Sequence, residues 1–136
     1  MLDRAIADFE AKQEKEQDKV AWRVHEQSIL DDLAFPLWMR CRECIEAGCK
    51  KYPKYLQFDV QPDTEAVVRS NITGKVLSVE YLSKSHTIAY RLGSITRRYS
   101  IRVDDDRQAV VWDHLHDVFR SPEELSDDLL SLIFTT

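Results

Sequence analysis

The spacing of hydrophobic positions along this chain changes twice, and each change marks a different kind of element. From about Leu2 to Ala34 there is no Gly or Pro, and Ala, Glu, Lys, Gln and Asp dominate, most of them good helix formers. Leu2, Ile6 and Phe9 recur at helical spacing. Residues 11–19 (AKQEKEQDK) then offer almost nothing to bury, before Val20, Trp22, Val24, Ile29, Leu30 and Leu33 restore an apolar pattern. This predicts a long helix whose second half, from Val20 onward, docks on the domain. Its first part, residues 1–19, protrudes as an arm or packs on a partner. A polar stretch of that kind is held by propensity and spaced charge pairs, each worth about 0.2–0.5 kcal/mol.

Pro36 interrupts the pattern. It lacks a backbone donor and crowds the preceding turn, which predicts a break or kink near Ala34–Phe35. A second helical piece, about 37–47, then starts just after Pro36 and ends at Gly48, with Trp38, Cys41, Cys44 and Ile45 at core-like spacing.

Beyond Lys54 the period falls to two. Strands are expected over 55–60, with Phe58 and Val60 on one face, and over 65–70. The next, over 75–82, turns Leu77, Val79 and Tyr81 one way, and 86–92 does the same for His86, Ile88, Tyr90 and Leu92. Over 95–103, Tyr99, Ile101 and Val103 face inward and Arg98, Ser100 and Arg102 outward; over 109–113, Val110 and Trp112 face inward. Asn71-Ile72-Thr73-Gly74, Lys84-Ser85, Gly93-Ser94 and Asp104-Asp105-Asp106 are the turns between them. Ser121-Pro122-Glu123-Glu124 is a helix start with a capping box, followed by a buried stripe of Leu125, Leu129, Leu132 and Ile133. The expected fold is α+β: a long N-terminal helix, an antiparallel meander of about five to six strands, and a short C-terminal helix, packed as two layers.

A length of 136 residues fits one such domain, able to bury a core without staples. No apolar run would span a bilayer, and Met1-Leu2-Asp3-Arg4 does not read as a secretory signal, so the expected location is the cytoplasm, with no membrane partner. Charge is uneven. Residues 69–102 hold seven Lys or Arg against Glu80 alone, whereas residues 103–136 hold nine acids and two bases.

Candidate chemistry is sparse. Cys41, Cys44 and Cys49 lack the second ligand pair that a structural zinc site needs, and Cys41 lies inside a helix rather than at the N-terminus that would activate it. Small thiols filling a core is the plainer reading. His114 and His116, two apart on a strand, could share a metal, but no third ligand is specified, so no metal or cofactor is expected. There is no Gly-x-Ser-x-Gly elbow and no phosphate-cradling glycine loop. No catalytic residue is assigned, and the reading leans away from an enzyme.

Three readings of function follow. The first is a binding protein, acting as a homodimer or adaptor-like subunit through the arm residues Leu2, Ile6 and Phe9 and through the basic sheet face. The second is a nucleic-acid-binding module that contacts phosphates, or an acidic partner, through Arg91, Arg98, Arg102, Lys51 and Lys54. The third is a ligand-binding or enzymatic pocket between sheet and helices lined by Tyr81, His86, Tyr90 and Trp112.

Overall fold

The computed structural model describes residues 1–59 and 61–135; Val60, expected on the inner face of the first strand, lies outside the described residues. A single helix, α1 (Leu2–Lys51), leads into strands β1 (Leu56–Asp59), β2 (Glu65–Ser70), β3 (Val76–Leu82), β4 (Thr87–Leu92), β5 (Ile95–Val103), β6 (Ala109–Asp113) and β7 (Val118–Arg120). Helix α2 (Pro122–Thr135) follows β7. Among the described residues the seven strands form one antiparallel sheet in the order β1-β2-β3-β4-β5-β6-β7, so each strand pairs with its neighbours in sequence. The meander therefore has one strand more than the expected five or six. The extra one, β7, follows a tight turn at 114–117 and was too short to read by periodicity.

One face of the sheet is covered by the second half of α1 and by α2. From the sheet come Leu56, Ala66, Val68, Leu77, Val79, Ile88, Ile101 and Val111, and from the helices Ala34, Trp38, Cys41, Ile45, Leu125, Leu129 and Ile133, all buried in one core. The inward residues of β3, β4 and β5 are those the alternation predicts. The start of α2 is also as expected. The Glu124 N–H donates to Ser121 Oγ at 3.1 Å, and the Ser121 N–H donates to Glu124 Oε1 at 3.2 Å, which satisfies two N-terminal donors reciprocally.

Three local expectations fail, each for a physical reason. Helix α1 does not break at Pro36: the backbone is helical from Leu2 to Lys51 with the proline inside it. An interior proline costs about 3 kcal/mol. On either side of it Ala34, Leu37 and Trp38 are buried, and a fully buried large side chain returns about 1.5–3 kcal/mol. The Trp38 indole N–H also donates to the Asp63 carbonyl at 2.7 Å, pinning that turn to the β1–β2 connection.

Gly48, likewise, does not end the helix. A Cβ there would sit 2.5 Å from Leu130 Cδ1, so the missing side chain is what lets α1 and α2 approach each other. Strand β6 faces the opposite way to expectation. Ser100 pairs with Trp112 and Arg102 with Val110, which places Val110 and Trp112 on the outer face and Val111 and Asp113 on the inner one. The run Ala109-Val110-Val111-Trp112 is apolar at every position and carries no parity of its own; the turn at 104–108 sets the register.

Candidate functional site

Helix α1 changes character along its length. Residues 1–25 are all exposed, and burial begins in earnest at Leu30. The docked half is therefore shorter than expected: Val20, Trp22 and Val24 stand in the open with the arm rather than against the sheet. Residues 2–28 form a rod of roughly 40 Å at 1.5 Å per residue. On it Leu2 is 73% exposed, Phe9 60% and Ile6 48%. These three positions are joined through Gln13, Glu16, Val20, Arg23 and Gln27 in one 3-4 spaced series that runs on into Leu30, Ala34, Leu37 and Cys41, all four buried.

Where the rod leaves the domain, a polar tie holds it. His86 ends the β3–β4 turn in a left-handed conformation (φ 48°) that turns its ring under α1, where it is buried. His86 Nε2 lies 3.0 Å from Asp31 Oδ1, and Nδ1 lies 3.1 Å from the Tyr81 hydroxyl. His86 Nε2 also lies 3.0 Å from the Gln27 amide nitrogen, so the ring joins Gln27 and Asp31 of α1 to Tyr81 of β3. The Gln27 amide donates to the same Asp31 oxygen at 2.9 Å. Tyr81 stacks on Trp38 with centroids 6.2 Å apart, and burial, then the Asp31 charge, pushes its hydroxyl above the usual tyrosine range.

Tyr81, His86, Tyr90 and Trp112 consequently do not converge. The first two belong to this tie. Tyr90 lies in a cleft of about 310 Å³ at the junction of sheet and α2, beside Tyr99, Arg97, Leu115, His116 and Asp128. Trp112 is on the far side of the sheet. The anchor of the cleft is Asp113, which the sequence offers only as a carboxylate flanking His114 and His116. Its Oδ1 accepts the N–H groups of Leu115 and His116, and its Oδ2 accepts His116 Nδ1 at 2.8 Å and Arg120 Nε at 3.2 Å. Burial pushes this carboxyl up, but the His116 hydrogen bonds and those from Arg120 and Leu115 outweigh it and hold Asp113 below the usual carboxylate range. Arg120 Nε also lies 3.2 Å from Asp128 Oδ2, so one guanidinium ties β6 and β7 to α2.

His114 and His116 are not on a strand but in the 114–117 turn, and they point to different partners. His114 Nε2 is 2.6 Å from Ser100 Oγ, while His116 is held by Asp113. Among the described residues no group of three or more His, Cys, Asp or Glu side chains is placed to hold a metal. Cys41 and Cys49 are buried core thiols. Burial raises them to about 12 and about 11, so they stay protonated; half-buried Cys44 is raised for the same reason.

Arg91, Arg98 and Arg102 project from the outer face of β4 and β5, on the side away from the helices. Lys51 and Lys54 are elsewhere. They sit at the end of α1 and in the connection to β1, over the rings of Tyr52 and Tyr55 (5.6 and 5.7 Å). Four strand spacings separate β1 from β5, roughly 19 Å, so the lysines and arginines are two separate basic regions. Instead the arginines have aromatic neighbours. The Arg102 guanidinium lies 5.3 Å over the Trp112 ring, and Phe119 meets Trp112 edge to face at 4.8 Å.

No helix among the described residues is long and apolar enough to cross a membrane. In comparisons with known proteins, no family model, curated protein or solved structure matched this chain.

Proposed function

We propose that this chain is a non-enzymatic binding protein whose arm, residues 2–28 of α1, pairs with the arm of a second copy to form a homodimer. The observation that carries this reading is the arm itself. It is a rod with every residue to position 25 exposed, and yet Leu2, Ile6, Phe9, Val20, Trp22 and Val24 are all hydrophobic. In proteins most of a helix's stability comes from packing an apolar face rather than from propensity. A second helix laid along the 3-4 spaced series would cover Leu2, Ile6, Phe9 and Val20 in the way the sheet covers Leu30, Ala34 and Leu37. Gln13, Glu16, Arg23 and Gln27 interrupt that seam with polar side chains, which lowers affinity and fixes register, as polar seam residues do in paired helices.

Light scattering coupled to size-exclusion chromatography on the full chain and on an Ile6→Glu/Phe9→Glu variant tests this directly. The expected result is a dimer for the parent and a monomer of unchanged thermal stability for the variant. A parent that is monomeric throughout the accessible concentration range removes the self-pairing reading.

A further inference from the structure

We infer that the outer face of β4–β7 is a binding surface for single-stranded nucleic acid, with Phe119 as a base-stacking platform and Arg98 and Arg102 as phosphate contacts. The inference is independent of the arm, because it rests on the opposite side of the sheet from the helices.

Strand pairing fixes which side chains share this face. Outward positions are Thr87, Ala89 and Arg91 on β4, Thr96, Arg98, Ser100 and Arg102 on β5, Val110 and Trp112 on β6, and Phe119 on β7. No Asp or Glu stands among them. The chain is acidic overall, at −5, and the outward acids Glu65 and Glu80 stand on β2 and β3, so β4–β7 form the part of the outer face that carries cations alone. The acids nearest that surface are Glu80, outward on β3 and paired with Ala89, and Asp104, Asp105 and Asp106 in the β5–β6 turn, of which Asp104 is occupied in accepting the N–H groups of Asp106 and Gln108.

The rings are the second, separate observation. Hydrophobic residues on an open sheet face are normally few, because nothing covers them. Here Phe119 is 50% exposed, and it is held edge-on by Trp112, which is itself held from above by Arg102. The row Ser100–Trp112–Phe119 lies between the rows that carry Arg98 and Arg102, which are separated by about 14 Å along the strand. A strand of nucleotides crossing this face would meet a cation, a ring and a second cation in turn. That is the arrangement that binds unpaired bases by stacking while arginines neutralise the backbone. A duplex would offer the phosphates but no free base to stack. An acidic peptide would satisfy the arginines but leave the rings without a planar partner.

The test uses the full chain and fluorescence anisotropy with labelled single-stranded oligonucleotides, an oligothymidine and an oligouridine, against a duplex and a poly-glutamate peptide. Binding of the single strands is expected, about tenfold weaker for Phe119→Ala and largely retained for Phe119→Trp, following the usual worth of one base–aromatic stack. Arg98→Gln and Arg102→Gln should each weaken binding and make it less steeply dependent on salt, by about 0.7 in the logarithmic slope per lost phosphate contact. Lys51→Gln/Lys54→Gln, at the other edge of the sheet, should change little. The inference is overturned if single strands do not bind, if the duplex or the peptide binds as well as they do, or if Phe119→Ala and Arg102→Gln, shown folded by circular dichroism, bind like the parent.

Discussion

The two halves of α1 are one continuous helix, and yet they are stabilised in different ways. Residues 30–49 have a sheet beneath them: Trp38, Cys41 and Ile45 are fully buried, and a proline in their midst does not interrupt the backbone. Residues 2–25 have only themselves. The lesson is that packing, more than propensity, decides how much disruption a helix tolerates. The half containing Pro36 is the robust one, and the half made of strong helix formers is the dependent one.

The comparison can be broken most sharply with a pair of tryptophans. Trp38→Ala removes a fully buried ring and its bond to the Asp63 carbonyl, and should cost about 3–5 kcal/mol in chemical denaturation. Trp22→Ala removes a half-exposed ring from the arm and should change monomer stability by less than about 0.5 kcal/mol. Equal effects would mean that the arm is part of the folding unit.

A second, smaller effect separates the ends of the sheet. Asp113 is an ionised carboxylate held below the usual range, so its contribution to stability is present above its unfolded value, near 3.9. That contribution is lost as pH falls through the depressed folded value. Asp113→Asn should therefore lower stability at neutral pH by about 1–3 kcal/mol and flatten the fall in melting temperature on acidification below about pH 4. An unchanged acid profile would show that Arg120 and His116 contribute nothing through this residue.

How much of this was legible in the sequence differs by element. The strands with clean alternation, β3, β4 and β5, could be read to within a residue, because one covered face imposes a period of two. The α2 start could be read because a capping box is a local device. Strand β6 could not, since its apolar residues are consecutive and its facing depends on a turn. That inversion hid the pairing of Trp112 with Phe119 and made Asp113 look like a solvent residue. The end of the arm was misjudged because Val20, Trp22 and Val24 resemble core residues in every respect except the presence of a neighbour. The local hints of the Asp113 anchor were the turn it leads, with His116 three residues later, and Arg120 seven residues later.

The central claim, that the arm is a helix stabilised by a second copy, is tested most directly by hydrogen exchange on residues 2–28 as a function of protein concentration. The account predicts arm amides that are protected at high concentration and approach unprotected exchange on dilution, while amides of residues 30–49 stay protected throughout. Arm amides that exchange at one rate at every concentration, whether slow or fast, would contradict it.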